Sequence, residues 1–241
     1  EEFTLVRQKN YACYFLTVHD IVQFARSQDP PILCQGRGSA ANSAVCYCLG
    51  ITAVDPIRME LLFERFLSEG RKEPPDIDID FCENRRSEVI EYVTQKYGSS
   101  AVARIGTFGK LLARAVVRDS GRVLGHSYGQ VDRLSKLIPL DGVKPVSIEK
   151  ALADEPRLRE AAKAEEVVAR LLDYGKQIEG LLRNASTHAA GVVIGDRRLD
   201  NFIALTRDKE DAILSQYAMK PLTELGMLKM DFLGLKTLTV I

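Results

Sequence analysis

The sequence has no excess of charge of either sign, because 33 lysine and arginine residues are balanced by 33 aspartate and glutamate residues. The overall charge therefore says nothing about a nucleic-acid partner, and any such argument must be local. No stretch approaches the ~20 apolar residues of a membrane span. The N-terminal sequence EEFTLVRQKN has no signal-peptide character. We therefore expect a cytoplasmic protein with no membrane partner.

The sequence also lacks paired cysteine motifs, internal repeats and low-complexity tracts. Its five cysteines are odd in number and form no C-x-x-C pair, which excludes a zinc-ribbon pattern and a disulfide framework. With 46% apolar and 27% charged residues, the 241-residue chain has an ordinary globular composition, enough for one large domain or two small ones. The way the sequence begins and ends suggests a piece of a longer protein.

Hydrophobic periodicity predicts a mixed organisation. Helical spacing occurs in residues 11–27, 56–70 and 83–98, and after a predicted strand at 30–35 a further helix is expected to end at Gly50. From 108 to about 184 the pattern is almost entirely helical, and strand signals return after Asn184. The order predicts an α+β fold with a helical insertion.

The stretch PPDIDIDF, residues 74–81, alternates three carboxylates with isoleucines. In a strand, alternate side chains share a face, so Asp76, Asp78 and Asp80 are predicted to lie together, where they raise each other's pKa. Residues two apart are separated by roughly 6.6 Å, which suits two carboxylates that bind ions ~3.5–4 Å apart. Asp76 and Asp80 would be about 13 Å apart. We therefore expect two adjacent aspartates to bind metal, together with a carboxylate from elsewhere.

Two other interpretations of the acidic stretch are a calcium-binding loop and a solvated strand face. A calcium loop requires glycine and glutamate at positions six and twelve. Those positions hold Phe81 and Ser87, which excludes it. A solvated acidic strand face stays open.

The best candidate for the additional carboxylate is Asp231, a lone aspartate in the apolar strand pattern GMLKMDFLGL. A buried strand aspartate is costly unless it is paired or bound to metal. Three carboxylates from two strands around Mg²⁺ are typical of phosphoryl and nucleotidyl transfer.

The segment GRGSAANS, residues 36–43, follows a predicted strand and opens a predicted helix. Backbone N–H groups at a helix N-terminus, with Ser39 able to cap it, would form a phosphate cradle. The segment also fits the looser dinucleotide pattern through Gly36, Gly38 and Ala41, with Asp55 further on. A Rossmann-type NAD site is thus the rival hypothesis, but it leaves the acidic strand unexplained.

A basic patch is predicted within residues 104–136, which hold seven lysines and arginines against two aspartates. The residues that recur every four positions, and two that extend the patch, are Lys110, Arg114, Arg118, Arg122, Arg133 and Lys136. A stripe of one sign fits the phosphates of a duplex. A solvated helix face is the alternative.

Six segments together resemble the bacterial C-family DNA polymerases, the group of the DNA polymerase III alpha subunits and their error-prone relatives. In order, these are GRGSAANSAV, LLFERFL, PPDIDIDF, RDSGRVLGH, STHAAGVVI and LKMDFLGLKTLT. The resemblance covers essentially the whole chain. It implies a polymerase-β-like nucleotidyltransferase palm, a mixed sheet with flanking helices, into which an all-helical thumb is inserted.

The resemblance implies domain bounds and site residues. Residues 1–107 and 185–241 would form the palm and 108–184 the thumb, without the PHP, fingers, clamp-binding and OB domains of the family. Asp76, Asp78 and Asp231 match the catalytic, metal-binding aspartates, with Asp80 as an accessory. The expected triphosphate ligands are Arg37, Gly38, Ser39, Arg65 and Lys229. The expected DNA contacts are His188 and the six residues of the basic patch.

The implied cofactors are two Mg²⁺ ions, for which Mn²⁺ can substitute, and the implied substrates are dNTP and primer–template DNA. A sliding clamp and other replisome subunits would be partners of the full-length bacterial parent. Three hypotheses therefore stand: a polymerase core, a nicotinamide-dependent enzyme, and a non-catalytic DNA-binding scaffold. Only the first accounts for the aspartates, the glycine segment and the basic patch together.

Overall fold

The computed structural model describes residues 1–70, 74–209 and 211–241. The helices are α1 Glu2–Gln8, α2 Ala12–Ser27, α3 Ala44–Cys48, α4 Arg86–Tyr97, α5 Ala113–Val123, α6 Tyr128–Leu137, α7 Ile148–Asp154, α8 Pro156–Ala164, α9 Glu166–Ile178, α10 Met219–Glu224 and α11 Thr237–Val240. The strands are β1 Cys34–Arg37, β2 Asp78–Cys82, β3 Val102–Lys110, β4 Leu140–Asp141, β5 Lys144–Pro145, β6 Leu182–Ile194, β7 Leu205–Arg207, β8 Ile213–Ser215 and β9 Leu228–Leu235. This confirms the α+β class.

The described chain divides into two compact units. One combines Glu1–Thr107 with Thr187–Ile241, and the other is Phe108–Ser186. Within the described residues, no helix has both the length and the apolar character that crossing a bilayer requires.

Seven strands form one mixed sheet in the order β1-β2-β9-β6-β3-β8-β7. The central strands β2 and β9 are parallel, whereas β1 pairs with β2 and β6 pairs with β9 in antiparallel fashion. The register places Asp78 opposite Asp231 on one side and opposite Arg37 on the other. Three distant segments thereby meet at one point of the sheet.

The apolar residues of β2 and β9 fix which face of the sheet is buried. Ile79, Phe81 and Phe232 are fully buried in the main core, where the two phenylalanine rings meet edge to face with centroids 5.6 Å apart. Each such side chain contributes ~1.5–3 kcal/mol when buried. Because neighbouring residues of a strand point to opposite faces, Asp78 and Asp231 are directed away from this core.

Helices α2 and α4 cover the buried face. The buried residues of α2 recur at helical spacing: Tyr14, Phe15, Val18, Ile21, Val22 and Ala25. Helix α4 contributes Val89 and Val93 to the same core and ends at Gly98, whose φ of 89° suits glycine. The predicted helices at 11–27 and 83–98 are therefore confirmed, with slightly different ends.

The helix predicted over residues 56–70 is wrong. The segment forms turns, with a single 3-10 turn at Phe63–Arg65. Asp55 accepts hydrogen bonds from the backbone N–H groups of Ile57 and Arg58, and Glu60 adopts a φ of 51°, outside the helical region. Within the segment only Pro56, Phe66 and Leu67 are buried, so its apolar spacing does not form one buried helical face.

The predicted strand at 30–35 begins later, because β1 starts at Cys34 and runs to Arg37. The single helix expected between it and Gly50 is instead a 3-10 turn at Gly38–Asn42 followed by the short α3. Gly50 follows with a φ of 70°. The glycine segment is therefore a tight turn rather than the start of a long helix.

The second unit has its own apolar core, to which α5, α7, α8 and α9 contribute residues such as Val116, Ile148, Leu158 and Leu171. Its helix α5 packs against α6 and α9 around Gly121. A Cβ atom on Gly121 would lie 2.2 Å from Cγ1 of Val131 and 2.9 Å from Cδ1 of Leu171. The missing side chain therefore permits this close helix packing.

We predict that Gly121→Ala lowers the free energy of unfolding by about 1–3 kcal/mol, because the added methyl group overpacks a contact with a stiff β-branched side chain. The matched control is Gly129→Ala in α6, where a Cβ would meet no atom within 4 Å. That substitution should stabilise the chain by about 0.5–1 kcal/mol through helix propensity. Urea denaturation of both variants measures this. Equal effects would contradict the proposed packing.

Candidate functional site

Three carboxylates converge where β2 and β9 pair. Asp78 and Asp231 lie opposite each other in the parallel register, and Asp76 precedes β2 by two residues. Each of the three offers an oxygen, and these oxygens all lie within 4.8 Å of one another. Each carboxylate is partly buried. The arrangement gathers three negative charges at the edge of the protein interior.

The electrostatics of this group are unfavourable without a cation. Burial raises the pKa of Asp78, and the nearby Asp76 raises it further. Burial also raises the pKa of Asp231, although the positive charge of Lys229 opposes the rise. Atom Oδ1 of Asp231 is buried and has no hydrogen-bond partner among the described residues. A hard divalent cation would satisfy that oxygen and offset the repulsion, so these residues fit Mg²⁺ or Mn²⁺.

Two cationic side chains contact the carboxylates. Lys229 Nζ donates to Asp76 Oδ2 at 2.9 Å. Arg37 reaches two residues of β2, with Nε 2.9 Å from Asp80 Oδ1 and a terminal nitrogen 3.4 Å from Asp78 Oδ2. The antiparallel pairing of β1 with β2 explains this reach, since Arg37 lies directly opposite Asp78. Both cations are thus held beside the three carboxylates.

Asp80 lies outside the group of three carboxylates. Strand β2 begins only at Asp78, and the nearly buried Asp80 is bound to Arg37. The three aspartates of the acidic stretch therefore have two environments. Asp76 and Asp78 face Asp231, whereas Asp80 holds the arginine that also contacts Asp78.

Tyr14 supports the acidic stretch, and sequence reasoning missed it. Its hydroxyl accepts a hydrogen bond from the backbone N–H of Ile77 at 3.1 Å, between the two clustered aspartates. Burial raises the pKa of Tyr14, so the hydroxyl stays neutral. The residue also lines a cavity of about 300 Å³ together with Asp76 and Lys229. No local sequence signal marks Tyr14, because it is one of several apolar positions of α2.

The helix cap expected from Ser39 is not formed. The side-chain cap of α3 is Ser43, whose Oγ accepts from the N–H of Cys46, rather than Ser39. The carboxylate of Glu2 accepts hydrogen bonds from the N–H groups of Ala44 and Val45 at 2.8 and 3.2 Å. These donors are therefore already used by the protein itself, and the helix has only five residues.

The glycine turn nevertheless lies against the carboxylates. Gly38 adopts a φ of 67°, and a Cβ there would lie 3.5 Å from Asp78 Oδ2. The 3-10 turn that carries Arg65 packs against the turn Gly38–Asn42. Arg65 itself is exposed, and no contact joins it to the three carboxylates in the described part of the chain.

The Rossmann hypothesis is not favoured by the topology. A dinucleotide fold requires parallel strands joined by a helix after the glycine motif. Here β1 and the next strand, β2, are antiparallel neighbours. Asp55, the expected ribose ligand, caps a turn through its bonds to Ile57 and Arg58.

The prediction that one stripe of basic residues follows a single helix is wrong. Lys110 ends β3 and is not on the helix with Arg114, Arg118 and Arg122. Arg114 donates to the carbonyl of Ile138 at 3.0 and 2.6 Å and so holds the end of α6. Its predicted DNA contact would have to compete with this internal bond.

Aspartates pair with three of the five remaining basic residues of the patch. Asp132 lies 3.6 Å from Arg118 and 2.8 Å from Lys136. Arg122 lies 4.0 Å from Asp119 and over the ring of Tyr128. Arg133 and Lys110 are exposed. The four-residue spacing is therefore misleading at Lys110, and Asp119 and Asp132 lie among the other basic residues.

His188 lies in β6, and its Nδ1 accepts hydrogen bonds from the N–H groups of Ala190 and Gly191 at 3.2 and 2.7 Å. A positive charge on His188 lowers the pKa of Asp231, against the rise that burial causes. The residue is therefore close to the carboxylates. Its predicted contact with DNA stays a prediction.

Comparison with known proteins identifies relatives over the whole chain. A family model described as the bacterial DNA polymerase III alpha NTPase domain matches residues 1–234. DNA polymerase III subunit alpha of Caulobacter vibrioides is 48% identical, and that of Escherichia coli K12 is 45% identical, over 100% of the chain and 21% and 20% of those proteins. That of Thermus aquaticus is 43% identical over 99% of the chain and 19% of the relative. The chain thus spans about a fifth of the length of these relatives.

We predict that Asp231→Asn stabilises the metal-free chain at pH 7. Because the pKa of Asp231 is raised in the folded state, the folded chain binds the proton more tightly than the unfolded chain. Stability therefore falls as pH rises above about 3.9, the ordinary aspartate pKa. The gain should shrink as pH is lowered from 7 towards 4. Urea denaturation in EDTA over this range measures it.

The matched control is Asp196→Asn. The pKa of Asp196 is lowered by its hydrogen bond to Arg197, so its neutralisation should give no gain at pH 7. A lower stability of Asp231→Asn than of the native chain in EDTA would show that the carboxylate is compensated within the protein, against the electrostatic argument.

Proposed function

The chain belongs to the bacterial DNA polymerase III alpha family, and from this membership we propose that it is the nucleotidyl-transfer core of a DNA-directed DNA polymerase. The proposed reaction joins a dNTP to a primer 3′-hydroxyl and releases pyrophosphate. The observation that carries the proposal is the group formed by Asp76, Asp78 and Asp231, with an unpartnered buried oxygen on Asp231. Sequence-distant carboxylates gathered with only partial internal compensation point to a bound cation.

The proposed role of the three aspartates is to hold two Mg²⁺ ions. When bound, such ions lower the pKa of an attacking hydroxyl and stabilise charge on the attacking and leaving oxygens. The protein contributes position. Parallel pairing of β2 and β9 sets the spacing of Asp78 and Asp231, while Tyr14 fixes the backbone beside Asp76. Preorganised groups of this kind need no rearrangement during the reaction.

We assign Arg37 and Lys229 to the triphosphate. Both are held by carboxylates, at 2.9 Å from Asp80 and Asp76 respectively, so their charge is fixed where phosphate oxygens would approach the metal site. Cations placed in this way stabilise charge that develops on phosphate oxygens. The proposed additional ligands, Gly38, Ser39 and Arg65, lie on the glycine turn or on the turn packed against it.

The remaining assignments follow the same proposal. The sheet-containing unit would be the palm and the helical unit the thumb, with primer–template DNA contacted by exposed basic residues such as Lys110 and Arg133. Arg118, Arg122 and Lys136 would bind DNA more weakly than a stripe of one sign, since aspartates already pair with them. Any clamp or replisome contact would belong to the full-length protein.

We predict that Asp78→Ala and Asp231→Ala each abolish tight binding of Mn²⁺ in the presence of dNTP. Loss of an outer-shell partner alone costs ~10–100-fold in metal affinity, so loss of a direct ligand should cost at least that much. Mn²⁺ titration followed by electron paramagnetic resonance, with dNTP at fixed concentration, measures the loss. Both substitutions must act, because both carboxylates belong to one group.

The control is Asp196→Ala, an exposed aspartate paired only with its neighbour Arg197 among the contacts described. It should bind Mn²⁺ and dNTP like the native chain. If Asp231→Ala also binds like the native chain, the shared site is wrong, and a parallel titration with NAD then tests the glycine turn as a cofactor site. Salt-sensitive DNA binding with no metal dependence would favour the scaffold instead.

A further inference from the structure

A cavity of about 320 Å³ lies between α4, β3 and β6, within the sheet-containing unit. Its polar lining is mostly cationic or donating and includes Arg86, Ser87, Arg104, Thr187 and His188. None of these is a member of the three-carboxylate group. The function proposed above gives this cavity no role beyond the DNA contact of His188.

Arg86 is the feature that calls for a ligand. Its Nε atom is shielded from solvent and has no hydrogen-bond partner, and no ion pair involves Arg86 among the described residues. Burial lowers the pKa of Arg86, and the nearby positive charge of Arg104 lowers it further. A half-buried arginine with no acceptor costs free energy, because a charged donor loses its water without replacement.

The neighbouring acidic residues do not remove this imbalance. Arg104 is paired with Asp208 at 3.6 Å, so that carboxylate is already engaged. Glu83 lines the cavity but is exposed and forms no ion pair with Arg86 in the described structure. Arg86 therefore has no carboxylate at ion-pair distance among the described residues, and the neighbouring Arg104 adds a like charge.

The other polar groups are also suited to donate. Arg86 is the first residue of α4 and directly follows the 3-10 turn Glu83–Arg85. Nδ1 of His188 accepts from two backbone N–H groups. The proton of the neutral ring is then on Nε2, which becomes a donor. Hydroxyls of Ser87 and Thr187 complete a donor-rich lining.

We propose that this cavity is a phosphate-binding subsite in which Arg86 and Arg104 bind the phosphate oxygens. Planar guanidinium groups match phosphate geometry. His188 connects the subsite to the carboxylates, since it lines the cavity and lies near Asp231. The phosphate belongs either to a DNA backbone, which rests on the function proposed above, or to a free phosphate or pyrophosphate.

The DNA arm of the test measures binding of a labelled primer–template by anisotropy over a range of salt concentrations, in EDTA. Arg86→Gln should reduce the slope of log affinity against log salt by about 0.9, the value for one lost phosphate contact. The matched control is the adjacent Arg85→Gln, which removes the same charge from a residue paired with Glu88 at 2.8 Å. It should leave the slope unchanged.

The free-anion arm measures the thermal midpoint with added inorganic phosphate or pyrophosphate. Either anion should raise the midpoint of the native chain and of Arg85→Gln but not of Arg86→Gln. Because Arg86 has no hydrogen-bond or ion-pair partner among the described residues, Arg86→Gln should fold. Ser87→Ala, an exposed position, provides a second variant that should weaken the response.

Each result decides the proposal. An Arg86-specific change in the DNA arm assigns the subsite to a backbone phosphate, and a change in the free-anion arm alone assigns it to phosphate or pyrophosphate. Equal changes in Arg86→Gln and Arg85→Gln, or none in either arm, overturn it. The variant Asp231→Asn separates this proposal from the metal-site proposal. Its thermal midpoint should still rise with added phosphate, whether or not the native chain binds metal.

Discussion

The parallel pairing of β2 with β9 is the constraint on which the rest of the site depends. It places Asp78 opposite Asp231. Asp76 and Lys229 also meet there, although they are 153 positions apart in the sequence. The pairing is held by apolar residues on the opposite face, where Phe81 contacts Phe232. The core therefore supplies the free energy that keeps the carboxylates together against their mutual repulsion.

Charge is compensated in two different ways in the sheet-containing unit. Around the carboxylates, Lys229 and Arg37 provide partial compensation from within, yet one oxygen of Asp231 keeps no partner among the described groups. In the cavity beside α4, Arg104 has Asp208, whereas Arg86 is without a described partner. Both places combine groups of like charge, and both are suited to a ligand of the opposite sign. A polymerase substrate carries phosphates and is bound together with divalent cations, so it would supply ligands of both signs of charge.

The sequence made the acidic part of the site predictable because each aspartate is anomalous in its local pattern. Asp76 and Asp78 alternate with isoleucines, and Asp231 interrupts an apolar strand. A buried charge in such a pattern has few explanations. The same logic could not find Tyr14, since its hydroxyl acts on a backbone N–H 63 positions away while its ring simply fills the core.

Elsewhere, predictions from local patterns were wrong because individual side chains or backbone angles outside the pattern determined the structure. Ser43 rather than Ser39 caps α3, and Glu2 accepts from the first N–H groups of that helix. Asp119 and Asp132 offset a stripe that spacing alone presents as basic. Within residues 56–70, an Asx turn at Asp55 and the backbone at Glu60 overrode helical periodicity. In each case a single side chain or dihedral decided the outcome, and periodicity averages over such details.

The long sequence separation of β2 and β9 has a consequence for the order of folding. Closing so large a loop costs conformational entropy before any contact across it is gained, so such pairings form late and slowly. During synthesis the acidic strand emerges well before its partner, and the helical residues 108–186 must pass in between. The carboxylate group is then among the last features to assemble. The proposed metal site therefore cannot form in a nascent chain until nearly all of this sequence has left the ribosome.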